Sequence, residues 1–105
     1  LACTAALAVL DIIENEHLVE NTAAIGDYFA KAFCDDKALK EYRGKGLMIG
    51  LELKDKYVGL RDRLLFERHF FTGAAGAQVI RLLPSLTVSQ ETAESFVKAW
   101  RELTE

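Results

Sequence analysis

Gly46-Leu47-Met48-Ile49-Gly50-Leu51-Glu52-Leu53 is the stretch from which the rest of the chain can be read. Leu47, Ile49, Leu51 and Leu53 share one face of an extended chain, while Gly50 and Glu52 lie on the other. That period of about two is the mark of a half-buried β-strand. Upstream, the period is helical. Leu18, Thr22, Ile25, Phe29 and Phe33 recur at three- and four-residue steps, which predicts a helix from about Glu16 to Phe33 with one inward stripe. The polar run Asp35-Asp36-Lys37 closes it. Earlier still, Thr4 to Glu14 predicts a helix with apolar residues on nearly every side: Leu7, Val9, Leu10, Ile12 and Ile13. Such a helix calls for burial all round. A domain this small covers one face, so the other requires a second domain or subunit.

Downstream, Tyr57, Leu60 and Leu64 predict a helix from about Tyr57 to Arg68, with Asp55 as its N-cap. His69-Phe70-Phe71-Thr72 reads as a short extended segment and Gly73-Ala74-Ala75-Gly76 as a turn. Gln78 to Leu83 is a second strand, ended by Pro84, which has no N–H to give a ladder. Ser89 caps a last helix with Ala93, Phe96, Val97 and Trp100 inward. The order helix-helix-strand-helix-strand-strand-helix lacks the regular alternation of a doubly wound sheet and predicts an α+β fold.

Composition narrows the function classes. Half of the 105 residues are hydrophobic, 28% are charged and one is proline, values of a globular domain and not of a disordered one. A net charge of −3 provides no long-range attraction to phosphate backbones or anionic lipid, so nucleic acid is not an expected partner. The apolar stretch at residues 5–13 is interrupted by Asp11, lacks a basic n-region and falls far short of the ~20 residues that span a bilayer. With Leu1 in place of an initiator methionine, the expectation is a piece cut from a longer protein. Cys3 and Cys34 stand alone, at no metal or redox spacing, and are expected to be reduced structural thiols in the cytoplasm.

Few motifs carry chemistry. Arg43-Gly44-Lys45-Gly46 lacks the spacing and the Ser or Thr of a phosphate loop and leads into a strand, so it reads as a tight turn with both glycines at positive φ. Neither His17 nor His69 has a second ligand at metal spacing, and no metal site is expected. No lysine sits in an apolar setting fit for Schiff-base chemistry, so none is expected to hold a carbonyl cofactor, and the sequence does not show whether Cys3, Cys34 and the histidines come together. Arg81 differs. In Val79-Ile80-Arg81-Leu82-Leu83-Pro84 it shares a strand face with Val79 and Leu83, and its guanidinium must reach water or an anion. Two readings stand: a bidentate fork for a ligand carboxylate, or an ion pair to a strand neighbour such as Glu52.

Three segments in order resemble the class III pyridoxal-phosphate-dependent aminotransferases, and within them the acetylornithine (or succinylornithine) group. Leu1-Ala2-Cys3-Thr4-Ala5-Ala6-Leu7-Ala8-Val9-Leu10 resembles the helix that leaves the cofactor domain. Arg43 to Leu53 is similar to the most recognisable carboxy-terminal strand. Val79-Ile80-Arg81-Leu82-Leu83-Pro84-Ser85-Leu86-Thr87-Val88 resembles the late strand, with Ser85 where a second proline often stands.

The resemblance implies the carboxy-terminal small domain of a fold-type I transferase, a small antiparallel sheet packed against helices. Residues 1–15 would be the linking helix and residues 16–105 the domain proper. It places Arg81 at the arginine that binds the substrate α-carboxylate, which favours the fork over the ion pair. It further implies transfer of an amino group from N-acetylornithine or a close relative to 2-oxoglutarate, as in arginine biosynthesis. Pyridoxal 5'-phosphate would be held by the absent large domain, in a cytoplasmic homodimer. Two other classes stay open: a freestanding α+β binding or regulatory module, and an oligomerisation domain. A reading frame upstream that encodes a cofactor domain with its lysine would separate the three.

Overall fold

The alternating stretch forms a central strand of the sheet. In a computed structural model of residues 1–105, the chain runs α1 (Ala2–Asn15), α2 (Leu18–Phe33), β1 (Leu39–Lys45), β2 (Met48–Leu53), a 3-10 turn (Asp55–Tyr57), α3 (Leu60–Arg68), β3 (Gly73–Ala74), β4 (Val79–Leu82) and α4 (Gln90–Thr104). The four strands lie in the order β1-β2-β4-β3, and every pairing is antiparallel. This is the expected α+β architecture, with helices packed on one sheet face.

Alternation sorts the strands' side chains. Ile49, Leu51 and Leu53 of β2 and Ile80 and Leu82 of β4 are buried beneath the helices. From α2 come Leu18, Ile25, Phe29 and Phe33, and from α4 Ala93, Phe96, Val97 and Trp100, all buried as the spacing predicts. Each such large side chain contributes about 1.5–3 kcal/mol on full burial. Trp100 stands edge-on to Phe33 with ring centroids 5.1 Å apart. Its indole N–H donates to Asp36 Oδ2 at 3.0 Å, while Asp36 Oδ1 accepts from the Ala38 backbone N–H at 2.9 Å. Asp36 is therefore not merely the solvated end of a helix. It satisfies the one polar atom of the largest core side chain.

Several boundaries differ from the sequence reading. Arg43-Gly44-Lys45 is the end of β1, a strand not anticipated; only Gly46, at φ 57°, turns the chain. β1 was hidden because Leu39-Lys40-Glu41-Tyr42-Arg43 carries charge on its open face and only Leu39 and the half-buried Tyr42 toward the core. Gly46 lies against α2, where a Cβ on Gly26 would meet the Gly46 carbonyl oxygen at 2.6 Å. Asp55 does not cap α3. That helix starts at Gly59–Leu60 without a side-chain cap, and Asp55 instead accepts from Gln78 Nε2 at 2.7 Å. Gly73–Ala74, expected in a turn, is the short edge strand β3, and the turn falls on the residues that follow, with Gly76 at φ 94°. His69 ends α3 in the left-handed conformation instead of starting an extended segment. Ser89 does cap α4, accepting from the Thr92 N–H.

Candidate functional site

Register brings a single row of residues across the open face of the sheet. Arg43 pairs with Gly50, Gly50 with Arg81, and Arg81 with Gly73. Arg81 is exposed and flanked on both sides by glycine, so no neighbouring side chain covers it. The aliphatic part and Nε of Arg81 lie along Gly73, where an added Cβ would come 3.6 Å from Arg81 Cβ and 3.5 Å from Nε. The expected alternative partner is engaged elsewhere. Arg43 Nη1 lies 2.7 Å from Glu41 Oε2 and 3.5 Å from Glu52 Oε1, and Arg81 has no carboxylate partner. The guanidinium of Arg43 is held still more firmly in its charged form, first through the hydrogen bond to Glu41.

Arg81 also borders a recess of about 240 Å³ between the Phe70–Gly73 segment, the end of β4 and the start of α4. Phe71, Leu83, Pro84 and Phe96 make most of its wall apolar. Thr72 belongs to the same wall; its Oγ1 is buried with no hydrogen-bond partner. Arg61 Nε donates to the Thr72 carbonyl at 3.2 Å and ties this segment to α3. Sequence reasoning missed Thr72, because nothing in Phe70-Phe71-Thr72-Gly73 signals that the hydroxyl turns inward. Chemically, the site offers one unpaired cation at the edge of an apolar hollow, an arrangement suited to an organic anion.

The other residues considered for chemistry do not join it. His17 and His69 both take positive φ at helix boundaries, 53° and 62°, and serve as chain bends. No three His, Cys, Asp or Glu side chains come together as a metal site. Cys3 and Cys34 are free, and both are exposed rather than packed as structural thiols. Every lysine is exposed. None of them is desolvated in the way a Schiff-base lysine requires.

A family model described as aminotransferase class-III matches residues 1–103. The chain belongs to this family. Among curated relatives of the domain, acetylornithine aminotransferase 1 of Bordetella bronchiseptica is 37% identical over 102 residues, covering 93% of this chain and 26% of the relative. Ornithine aminotransferase 1 of Staphylococcus aureus is 32% identical over 105 residues, covering 98% of this chain and 26% of the relative. The aminotransferase domain thus spans about a quarter of the relatives it matches. Among solved structures, acetylornithine aminotransferase of Elizabethkingia anophelis superposes with a TM-score of 0.80 at 27% identity, over 96% of this chain and 28% of that one. An ornithine aminotransferase of Toxoplasma gondii, described with PLP at its active site, shares the fold with a TM-score of 0.75 at 22% identity, over 93% of this chain and 25% of that one. No helix of the domain is long and apolar enough to cross a membrane.

Proposed function

We propose that this class-III aminotransferase domain is the carboxy-terminal part of a longer enzyme and binds the α-carboxylate of its amino-acid and oxoacid substrates through Arg81. The carrying observation is the unpaired guanidinium, flanked by Gly50 and Gly73 at the rim of an apolar recess. Residues 1–15 serve as the helix that links to the missing part, and residues 16–105 as the domain proper. The names of the relatives support N-acetylornithine or ornithine as donor, with 2-oxoglutarate as acceptor in arginine biosynthesis. The whole enzyme would use pyridoxal phosphate as its electron sink. This chain provides no lysine suited to holding it, so the cofactor belongs to the remainder of a cytoplasmic homodimer. On that reading, borohydride reduction of the isolated chain with cofactor labels no single lysine stoichiometrically.

Arg81 orients substrate and takes no proton. A guanidinium makes two parallel charge-assisted hydrogen bonds to a carboxylate, each worth about 1.5–3 kcal/mol. In the full-length enzyme, Arg81→Lys keeps the charge and loses the fork, so kcat/KM falls roughly 10- to 150-fold for amino acid and oxoacid alike. The thermal melt and cofactor absorbance stay as they were. Unchanged kcat/KM for both substrates would remove Arg81 from the site.

A further inference from the structure

Glu52 stands at a point of symmetry on the open sheet face. In β2 it is two residues beyond Gly50, whose cross-strand partners are Arg43 on one side and Arg81 on the other. Its own partners are Glu41 and Val79. Glu52 is thus diagonal to both arginines, at the ~7–8 Å spacing that long side chains bridge. Gly50 puts nothing between them: a Cβ there would find its nearest neighbour, Val79 Cγ1, only at 3.7 Å. By register alone the carboxylate has two choices.

The structure resolves the choice through Glu41. Glu41 and Glu52 sit directly opposite one another, a like-charge pair that is destabilising unless a cation intervenes. Arg43 lies between them with Nη1 at 2.7 Å from one and 3.5 Å from the other. Holding both carboxylates, it leaves Arg81 without an internal anion. We propose that Arg43 is a positioning residue for Arg81: it retains Glu52 on the β1 side of the sheet and so keeps the substrate-binding guanidinium unoccupied. This rests on the reading of Arg81 as the carboxylate fork. Without Arg43, Glu52 swings over Gly50, pairs with Arg81 and competes with substrate.

The test uses the full-length enzyme. In Arg43→Met, competition by an exposed internal ion pair raises KM for both amino acid and oxoacid about two- to sixfold. The value of kcat is retained, as expected when ground-state and transition-state binding weaken together. Adding Glu52→Gln to Arg43→Met removes the competitor and restores KM, whereas Glu52→Gln alone leaves KM as in the parent. A merely structural role for Arg43 predicts no such rescue. An unaltered KM in Arg43→Met overturns the proposal, as does a raised KM that Glu52→Gln fails to restore. If Arg43→Met gives no folded enzyme, Arg43→Gln at this exposed position carries the same expectations. Arg81→Lys measured alongside separates two failures. If Arg81→Lys has no effect, the site itself is misread; if it impairs binding while Arg43→Met does not, only the role of Arg43 falls.

Discussion

Helices α1 and α4 are nearly equal in length, 14 and 15 residues, and α1 is the more apolar of the two, yet only α4 is buried. α1 contributes no buried residue, and Leu7, Val9, Leu10 and Ile12 remain 63, 55, 60 and 46% exposed. α4 places Ala93, Phe96, Val97 and Trp100 against the core and caps its own start with Ser89. α1 has no side-chain cap, no acidic residue in its first turn and no basic residue in its last. What separates them is distribution, not the amount of apolar surface. A single stripe fits neighbours on one side, and α4 has them in α2 and α3. Apolar residues all round require several neighbours, and this chain offers α1 little beyond its junction with α2. The exposed surface of α1 fits the proposed longer enzyme, in which further protein covers it.

The strongest break of this contrast comes from Trp100→Ala. It removes the centre of the aromatic cluster and leaves Asp36 Oδ2 without its donor, so urea denaturation should show a loss of about 3–5 kcal/mol. A loss below about 1 kcal/mol would mean that α4 is no better anchored than α1. Next in size is Gly26→Ala. The new methyl would meet backbone at Gly46, which cannot rotate away, and overpacking of this kind costs about 1–3 kcal/mol. Gly59→Ala, with nothing within reach of its Cβ, meets no clash, and as the N-cap of α3 it should cost no more than about 0.5–1 kcal/mol.

On the α1 side, Leu7→Ala and Leu10→Ala in the isolated chain should alter stability by no more than about 0.5 kcal/mol. The same changes in the full-length enzyme should cost about 2–5 kcal/mol if the helix is buried there. Equal, small effects in both settings would refute the idea that further protein covers α1. Sedimentation adds a second check: the 105-residue chain should self-associate with rising concentration, and a version starting at Glu16 should not. A monomeric parent chain with a stable, dye-silent α1 would count against it.

The smallest effect concerns Tyr42, half-buried on β1 and stacked on Phe33 at 6.3 Å. Burial raises its phenol pKa in the folded state. The unfolded chain therefore ionises first as pH rises. The contribution of the neutral phenol is complete below the unfolded value of about 10 and is lost as pH climbs through the raised folded value. Tyr42→Phe should flatten the decline in stability between neutral and strongly alkaline pH, measured by denaturant titration. An unchanged slope would show that Tyr42 is solvated like the side chains of α1.

Local pattern determined much of this molecule. Period two in Leu47–Leu53, the stripes from Leu18 to Phe33 and from Ala93 to Trp100, and the Ser89 cap all express side-chain geometry within a few residues. That geometry needs no distant partner. The same locality made Arg81 conspicuous, since an arginine in an apolar strand must find an anion or water. Tertiary structure decided what local pattern leaves open. β1 exists because β2 offers it a ladder, although its own residues carry little apolar signal. Asp36 became a half-buried acceptor because Trp100, far away in sequence, needed one. Arg81 has no carboxylate partner, while Glu52, diagonal to both arginines across the strands, lies on Arg43. Pairing across strands is a property of neighbours distant in sequence, and no window of the chain contains it.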